Sequence, residues 1–373
     1  MFLHIVSFDI PYPANYGGVI VIFNQIKALH DAGIKIILHC FQYNDRQPDA
    51  ELEKYCTEVN YYPRSRSLWH QASLRPFIMQ SRRHSKLLKR LKKDNHPILF
   101  EGMHSCGFID HSALRRRHKI VRMHNIEWQY YANLSELEDD VLQKVFFFVE
   151  SIKLQRAEPK VVLHADQIIT ISTDDEAYFK EMKPSTYYVP VFHPNKTVES
   201  LLGRGEYILF HGKLSVADNE RAALWLIEEI FAETDIPFTI AGLEPSDRLK
   251  MLVEKHDNVT LVENPDDRTM GQLIRDAHIN LLVSFQRAGM KLKLVNSLFR
   301  GRFCIVNDKM VSGTGLDSLC YVRNSAAQIR QTIEAILMAP FEQSKINERK
   351  ALLEKEYSNK INADKLIEII GKL

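Results

Sequence analysis

A glycine followed by a lysine-bearing amphipathic run lies within residues 287–308, RAGMKLKLVNSLFRGRFCIVND. A glycine turn that leads into a helix presents unpaired backbone N–H groups and a partial positive charge, and lysines reinforce both. The helix would then be followed by a short apolar strand. This stretch predicts a helix N-terminus that binds a phosphate or diphosphate through Gly289, Met290, Lys291 and Lys293.

The same predicted helix carries polar side chains at helical spacing. Lys293, Asn296, Ser297 and Arg300 fall at i, i+3, i+4 and i+7, with apolar residues on the other side. Such a stripe is usually a solvated face, but this one begins directly after a glycine and a strand end. We therefore expect the stripe to face away from the core, with Asn296 reaching a ligand one turn beyond the anion.

Four hydrogen-bonding side chains follow another apolar run, in KIVRMHNIEWQYY. They are Arg122, His124, Asn125 and Glu127. A single histidine is more often structural than catalytic, but ligands of parallel sheets bind at the carboxyl ends of the strands. Four such side chains at one strand end favour a functional site.

Gly17 and Gly18 follow the Pro-rich turn after the first strand. Glycines at such a turn let backbone N–H groups approach a ligand closely, although an ordinary strand-to-helix turn explains them equally well. Neither GxGxxG nor GxxxxGK[ST] is present, so the dehydrogenase and P-loop NTPase interpretations lose their main support.

A comparable crossover follows the strand YILFH in the second half of the chain. Gly212 and Lys213 lie at this strand end, where the lysine could meet an anion. Asp218 or Asn219 is the predicted N-cap of the next helix.

Two series of β-rich runs alternate with helical patterns and predict parallel βαβ units. The predicted strands are Leu3–Phe8, Lys35–Phe41, Ile98–Glu101, Lys119–Met123 and Gln167–Ser172, then Tyr207–His211, Pro237–Ala241, Val259–Val262, Ile279–Ser284 and Phe303–Val306. A proline- and glycine-containing break near residues 192–205 separates them. The fold class is therefore α/β, with two Rossmann-like, doubly wound domains facing across a cleft, 1–195 and 196–357, and a C-terminal helix at 358–373.

Composition narrows the class of protein. The 373 residues exceed what one core usually organises, and a formal net charge of +2 does not indicate a general nucleic-acid binder. The five cysteines lack CxxC spacing, so neither a zinc site nor a disulfide framework is predicted. No apolar run approaches the roughly 20 residues that span a bilayer. A cytoplasmic protein is expected.

Four blocks of the chain together resemble a known family. PYPANYGGVIVIFNQIKALHDAG, RMHNIEWQYY, ILFHGKLSVADNERAALWLIEEIF and GMKLKLVNSLFRGRFCIVND are similar, in this order, to successive blocks of the family 4 retaining glycosyltransferases of the GT-B fold. The resemblance implies transfer of a sugar from a nucleotide-diphosphate donor without metal or cofactor. It also implies that the second domain holds the nucleotide and the first holds the acceptor.

The resemblance also implies roles for individual residues. Gly17 and Gly18 match the glycine turn beside the donor phosphates, and His124 matches a histidine that contacts the transferred sugar. Gly289 and the following amides match the diphosphate loop. Catalysis would then rest on His124, Lys213 and Lys293. The donor side would comprise Gly17, Gly18, Gly212, Gly289, Met290, Lys291 and Asn296, and the acceptor or sugar side Arg122, Asn125 and Glu127.

The paired glutamates of the family are both absent. Their positions fall on Ala288 and Asn296, and the family's usual Arg and Lys after the first strand of the second domain are reduced to Lys213. Asn296 can still hydrogen-bond a ribose hydroxyl. The alternative to an active enzyme is therefore a catalytically weak or inactive GT-B protein that binds a nucleotide sugar or glycan.

Residues 64–93 contain ten Lys or Arg and no Asp or Glu. Basic segments interspersed with apolar residues suit an anionic membrane surface, and a solvated helix explains them about as well. Nucleic acid is the weaker interpretation because no recognition motif accompanies the charge. The expected function is glycosyl transfer to a glycan or lipid-linked acceptor in surface polysaccharide synthesis, at the inner face of the membrane.

Overall fold

The computed structural model describes residues 1–43, 46–65, 67–71, 73–138, 140–287, 289 and 291–372. The chain divides into two compact units. Unit 1 comprises Met1–Pro194, Ala288–Met290 and Asn359–Leu373, and unit 2 comprises Asn195–Arg287 and Lys291–Ser358. Each unit is built on a parallel sheet.

Unit 1 contains a seven-stranded sheet in which every pairing is parallel. The strands are β1 (Phe2–Ser7), β2 (Lys35–Gln42), β3 (Glu58–Pro63), β4 (Ile98–Glu101), β5 (Lys119–Met123), β6 (Gln167–Thr170) and β7 (Thr186–Tyr188). Their order across the sheet is β3-β2-β1-β4-β5-β6-β7. The helices that connect them are α1 (Gly17–Asp31), α2 (Phe77–Gln80), α3 (Ser85–Leu91), α4 (Glu127–Leu137), α5 (Val141–His164) and α6 (Thr173–Met182).

Unit 2 repeats the arrangement with six parallel strands in the order β10-β9-β8-β11-β12-β13. They are β8 (Ile208–Lys213), β9 (Phe238–Leu243), β10 (Val259–Glu263), β11 (Ile279–Leu282), β12 (Phe303–Val306) and β13 (Tyr321–Val322). The helices are α7 (Ala217–Leu226, continued by a π-turn at Ile227–Phe231), α8 (Asp247–Val253), α9 (Asp267–Asp276), α10 (Leu292–Arg300), α11 (Asp308–Val311), α12 (Ala326–Ile336) and α13 (Gln343–Glu356).

The last helix, α14 (Asn359–Gly371), belongs to unit 1. Its apolar side chains, including Leu366 and Ile370, are buried in the same cluster as Leu3 and Ile5 of β1. Gln167 Nε2 donates a hydrogen bond to the Ile369 carbonyl at 2.7 Å. Packing of this amphipathic helix against α1 and the apolar cluster explains why its apolar residues recur at helical spacing.

The predicted α/β fold class with two parallel sheets is confirmed. All ten predicted strands are present, with ends within two residues of those expected. Three strands were missed, β3, β7 and β13, and each lies at the edge of its sheet. Central strands are covered on both faces and therefore read as apolar runs, whereas edge strands such as β3 are partly exposed and polar. None of the described helices combines the length and apolarity needed to cross a membrane.

Candidate functional site

The strand order reverses direction at one point in each sheet. In unit 1 this point lies between β1 and β4, and in unit 2 between β8 and β11. Ligands of doubly wound sheets bind outside the carboxyl ends of the strands at such a point, because the loops there diverge and leave a crevice. The predicted site residues follow these strands or their neighbours, so each unit is described in turn.

A chain of buried polar groups holds His124 at the end of β5. The His124 Nε2 atom lies 2.8 Å from Glu101 Oε2, and Gln25 Nε2 donates to Glu101 Oε1 at 2.6 Å. Arg122 in turn donates from Nη1 to the Gln25 side chain. Burial alone would raise the pKa of Glu101, but its hydrogen bonds with His124 and Gln25 and the nearby Arg122 charge hold that pKa below the ordinary value. An ionised Glu101 therefore fixes the orientation of the imidazole.

Arg122 is fully buried, which bears on its predicted place on the acceptor side. Its Nη2 atom donates to the Pro190 carbonyl at 2.9 Å, and its guanidinium stacks over Phe192 at 4.8 Å from the ring centroid. Burial lowers the pKa of Arg122 to about 10. Arg122 therefore positions Gln25 directly, and through Gln25 it positions Glu101.

Glu127 lies at the start of α4 with only 1% of its surface exposed. Both of its carboxylate oxygens lack a hydrogen-bond partner among the described residues, as do Asn125 Oδ1 and His104 Nδ1. Burial raises the pKa of Glu127 to about 8. Near pH 7 this side chain is largely a neutral acid, which can donate as well as accept a hydrogen bond. His104 Nδ1 lies 3.8 Å from Glu127 Oε1, too far for a direct bond.

The glycine pair opens α1, whose first residue is Gly17. A Cβ atom on Gly18 would lie 2.6 Å from Phe8 Cζ, so any larger residue at this position would require the Phe8 ring to shift. Phe8 also contacts the rings of His104 and His124, at centroid distances of 5.2 and 5.6 Å. The glycine pair therefore lies next to the same aromatic residue that packs on the histidines.

Helix α10 of unit 2 begins at Leu292, close to where the sequence places the anion-binding N-terminus, and Gly289 just before it is grouped with unit 1. Gly289 has φ +103°, a conformation that favours glycine, and a Cβ there would meet only open space. Lys291 is the N-cap residue and provides no side-chain cap to the helix. Backbone N–H groups in the first turn of a helix have no partner within the helix, so they are available to an anion. Met290 lies outside the described residues.

Lys293 is partly buried at this helix start and held by Asn219. Its ammonium donates to Asn219 Oδ1 at 2.8 Å and lies over the Phe210 ring at 5.1 Å. Burial lowers the pKa of Lys293 to about 8, while the Asp218 carboxylate opposes and the Lys291 charge adds to this effect. Burial destabilises the charged form of the lysine, and a nearby anion would stabilise it. This property is consistent with a phosphate ligand.

Lys213 and Gly212 end β8 as predicted, and Lys213 is paired. Its Nζ atom lies 3.1 Å from Glu244 Oε2, and both side chains are exposed. A Cβ on Gly212 would come within 3.1 Å of the Asn219 side chain. An exposed ion pair of this kind contributes little stability, about 0–1 kcal/mol, so an incoming anion could replace Glu244 at small cost.

The predicted N-cap of α7 is wrong. The cap residue is Val216, and no side chain caps the helix. Asp218 instead accepts from Ser284 Oγ and from the Phe285 N–H, both at 2.8 Å, while Asn219 Nδ2 donates to the Lys213 carbonyl at 2.9 Å. Both side chains thus tie α7 to strand ends of the candidate site.

The prediction that the polar stripe of α10 faces away from the core is only partly correct. Ser297 is fully buried, with its Oγ atom 3.0 Å from His211 Nε2. Asn296 is partly exposed, and its Oδ1 atom accepts from Asn195 Nδ2 at 2.8 Å. Arg300 Nε donates to Asn195 Oδ1 at 2.6 Å. Asn195 therefore links Asn296 to Arg300, and a nucleotide at this position would meet an amide pair.

The basic segment 64–93 uses several of its charges internally. Arg82 is buried and donates to the Phe8 and Ile78 carbonyls at 2.8 and 2.9 Å. Arg75 pairs with Asp110 at 3.0 Å, and Arg90 pairs with Glu58. The exposed cations of the described part of this segment include Lys86, Lys89, Lys92 and Lys93 of α3 and its C-terminal flank. The membrane hypothesis for the segment therefore depends on these lysines more than on its arginines.

The structure adds residues that sequence reasoning missed. Glu101, Gln25 and His104 join the unit 1 site, and Asn219 and Asn195 join the unit 2 site. Glu101 is the last residue of a predicted strand, and this position could have identified it as a site residue. The others lie on helices and loops that only the folded structure places next to the site. Among the described residues, no group of three His, Cys, Asp or Glu side chains is arranged to hold a metal ion.

Comparison with known proteins gives a distant sequence relative. No protein-family model matches the chain. An uncharacterised 44.6 kDa protein in the cps region of Klebsiella pneumoniae is 27% identical over 331 residues, covering 83% of this chain and 84% of that protein.

Solved structures match along the whole chain. Sucrose-phosphate synthase from Thermosynechococcus elongatus superposes with a TM-score of 0.71 at 16% identity, covering 99% of this chain and 98% of that one. Alr3699/HepE from Anabaena, in complex with UDP and glucose, gives a TM-score of 0.67 at 10% identity, with full coverage of both chains. These likenesses show that the chain has the GT-B glycosyltransferase fold.

Proposed function

We propose that the chain is a glycosyltransferase that moves a sugar from a nucleotide-diphosphate sugar to a glycan or glycolipid acceptor in surface polysaccharide synthesis. The observation that carries this proposal is Lys293, a partly buried cation at the start of α10 beside the switch point of a GT-B sheet. The relative in a cps region supports the polysaccharide context. UDP and glucose in the Anabaena structure support a nucleotide-sugar donor.

Unit 2 would hold the donor. The first-turn N–H groups of α10, Gly289 and Lys291 surround the diphosphate, and Met290 is assigned there by its position in the sequence. Gly212 leaves room beside Lys213, and Asn296 reaches the ribose. Gly17 and Gly18 of unit 1 are proposed to contribute backbone groups to the donor phosphates, as the resemblance to family 4 implies.

Breaking the anomeric C–O bond leaves negative charge on the diphosphate and positive charge on the sugar ring. Lys213 and Lys293 would stabilise the departing charge, and one preorganised donor of this kind is worth about 3 kcal/mol in a transition state. Retention follows if the acceptor hydroxyl attacks from the face that the leaving group vacates and a diphosphate oxygen takes its proton. The scheme requires no carboxylate nucleophile and no metal ion.

Unit 1 would hold the sugar and the acceptor. His124, oriented by the ionised Glu101, contacts the transferred sugar. Asn125 and Glu127 offer unpartnered buried oxygens to acceptor hydroxyls, and the neutral acid of Glu127 can donate to one of them. Arg122, predicted to contact the acceptor, takes a positioning role in this proposal because its guanidinium is fully buried.

The second candidate is a binding protein of the same fold with little or no activity. Asn296 replaces an ionised glutamate at the ribose position, and its carbonyl oxygen is already occupied by Asn195. A neutral and partly satisfied amide binds a ribose hydroxyl less strongly than a free carboxylate does. This geometry favours weak donor binding and makes the second candidate worth testing directly.

We also propose a cytoplasmic protein that works at the inner face of the membrane, without a nucleic-acid partner. The exposed lysines of α3 and its flank, Lys86, Lys89, Lys92 and Lys93, would contact anionic lipid. Replacing all four by Gln should weaken binding to anionic vesicles. Unchanged co-sedimentation of this variant would remove these four lysines from the membrane contact.

Incubation with a panel of nucleotide sugars separates the two functions. Both predict thermal stabilisation by a cognate nucleotide, but only the enzyme releases nucleoside diphosphate and forms a product. Lys293→Met should abolish most turnover, and NMR of the product's anomeric proton reports retention or inversion. Activity that disappears with EDTA and returns with a divalent ion would contradict metal independence. Stabilisation without turnover for every acceptor would support the binding protein.

A further inference from the structure

One face of α5 in unit 1 exposes large apolar side chains to solvent. Leu142 and Phe148 are 81% and 57% exposed, and Val141, Val145 and Val149 are exposed with them. At about 100° per residue these five positions lie within roughly 120° of the helix circumference. Isolated exposed apolar residues are normal, but a contiguous stripe of this size marks an interaction surface.

The same face becomes cationic along the C-terminal half of the helix. Arg156 and Lys160 project from the sector of the helix that carries the apolar stripe, and no ion pair joins either to a carboxylate within the described residues. The two glutamates of α5, Glu150 and Glu158, are both buried on the opposite side. Asp140 caps the helix by accepting from the Gln143 N–H at 2.8 Å. The exposed face of α5 itself therefore carries apolar and positive groups and no acid.

A neighbouring part of unit 1 extends this surface. Leu74 is 91% exposed and Trp69 is 85% exposed. Both belong to the segment that leads into α2, residues 67–71 and 73–77, which packs on α5. Lys153 Nζ donates to the Gln71 carbonyl at 2.6 Å, and the Phe77 N–H donates to Glu150 Oε2 at 2.6 Å. Leu74 lines a pocket together with Arg156 and Lys160, so it adjoins the cationic end of the exposed face, and Trp69 lies two residues before Gln71 in the same segment.

A pocket lies between the segment and the helix. Leu74, Met79 and Val161 form part of its apolar lining, and Arg75, Arg156 and Lys160 lie around it. Arg75 is paired with Asp110 at 3.0 Å, which leaves Arg156 and Lys160 as cations for an incoming anion. An apolar lining with cations around it matches a lipid phosphate whose acyl chains lie against the apolar side chains.

We propose that the α5 docking face, made of Leu142, Val145, Phe148, Arg156 and Lys160 with Trp69 and Leu74, binds an anionic lipid bilayer. Charge and apolarity together select this occupant. An amphipathic helix whose exposed face combines bulky apolar side chains with cations lies in the plane of a lipid interface, where the apolar groups enter the acyl boundary. This inference rests on the proposed membrane association and deepens it, because it names a surface for the lipid contact that contains neither the donor nor the acceptor residues.

The test uses the full chain and vesicles of phosphatidylcholine alone or mixed with phosphatidylglycerol. Wild-type protein should co-sediment with the mixed vesicles and only weakly with the neutral ones. Arg156→Gln with Lys160→Gln should weaken binding about 25-fold, at about fivefold for each cation near an anionic surface. Leu142→Ser with Phe148→Ser should weaken it at least about tenfold. Added salt should weaken vesicle binding by the wild type, and it should have little effect on the residual binding of the Arg156→Gln, Lys160→Gln variant.

Matched controls come from unit 2. Met251→Ser with Met338→Ser removes two exposed apolar side chains, and Lys255→Gln with Lys350→Gln removes two exposed cations. Both controls should bind mixed vesicles like the wild type. Trp69 supplies a second readout, because its emission should shift to shorter wavelength on mixed vesicles and this shift should vanish in Trp69→Phe.

Four outcomes would overturn the proposal. Wild-type protein that ignores anionic vesicles contradicts it, as do docking-face variants that bind as tightly as their controls. Loss of binding in the Lys86, Lys89, Lys92 and Lys93 variant alone would assign the membrane contact to α3. Self-association that Leu142→Ser with Phe148→Ser abolishes, without vesicle binding, would identify a second copy of this chain as the occupant. Glycosyl transfer is not measured in any arm, so its absence leaves this test intact.

Discussion

Replacing Glu127 by Gln should stabilise the protein at neutral pH, although it alters a proposed acceptor contact. Burial raises the pKa of this carboxyl from 4.5 to about 8, the charges of Glu158 and Asp175 add to the effect, and the charge of Arg82 opposes it. When the pKa of a carboxyl is higher in the folded than in the unfolded chain, its contribution to the stability of the folded state is greatest below pH 4.5, the unfolded value. That contribution is lost as the pH rises from 4.5 through about 8, because the unfolded chain ionises first.

The size of the effect follows from linkage. Each unit of pKa difference corresponds to about 1.4 kcal/mol, so at pH 7 the folded state carries a penalty of up to about 3 kcal/mol relative to acid pH. Gln has the same shape and never ionises, so Glu127→Gln should remove the penalty. The gain in the free energy of unfolding should be near zero at about pH 4.5 and approach about 3 kcal/mol near pH 7.

Urea titrations of wild type and variant at several pH values measure this difference directly. Glu136→Gln, an exposed glutamate on the same helix, is the matched control and should show no pH-dependent gain. A wild-type-to-variant difference that stays constant from about pH 4.5 to about pH 8 would refute the raised pKa. Slower turnover in the stabilised variant would in addition support Glu127 as an acceptor contact, since functional polar groups often cost stability.

Three further predictions concern the donor side and the glycine pair. Burial lowers the pKa of Lys293 to about 8, so its positive charge is lost above that pH and wild-type turnover should decline there. The residual turnover of Lys293→Met should show no such decline. If the charge mainly stabilises the departing diphosphate, Lys293→Met should also lower turnover more than it lowers donor affinity. Asn296→Ala should weaken nucleoside diphosphate binding several-fold by calorimetry, because a neutral hydrogen bond is worth about 0.5–1.5 kcal/mol, and affinity unchanged in both variants would move the phosphate site elsewhere. Gly18→Ala should cost about 1–3 kcal/mol in urea unfolding, since its Cβ would lie 2.6 Å from Phe8 Cζ, and an unaffected midpoint would show that Phe8 moves freely.

Local sequence patterns were sufficient for the central elements of both sheets. Strands such as β4 and β12 are buried along their whole length, so their apolar runs were distinct from the flanking loops. The edge strand β3 is partly exposed along most of its length, and its residues alternate weakly in polarity. The sequence pattern therefore identified every strand inside the two sheets and one of the four edge strands, β10, and it missed the other three, where hydrogen bonding to one neighbour defines the strand.

Partners of the site residues were harder to predict than the residues themselves. Strand ends pointed to His124 and Lys293, but Glu101 and Asn219 are 23 and 74 residues away from them along the chain. Asp218 and Asn219 fitted the sequence pattern of a helix cap, because short polar side chains before an apolar run serve that role. In the folded chain Asp218 instead accepts from Ser284 and Phe285 after β11. Asn219 donates to the Lys213 carbonyl at the end of β8, so contacts with strand ends outweigh a local cap of about 1 kcal/mol.

The absence of the paired glutamates changes how a nucleotide could be held. A carboxylate at position 296 would carry its own charge into the site, whereas Asn296 shares its carbonyl oxygen with Asn195, which also accepts from Arg300. The amide pair thus places the positive charge of Arg300 close to the proposed ribose position, where a glutamate would place a negative charge. A ligand there would meet a more positive surface, and the second phosphate of a diphosphate would gain from it. If this reasoning is right, Asn296→Glu should pair with Arg300 and weaken nucleoside diphosphate binding. Tighter binding in that variant would show that the ribose contact outweighs the charge.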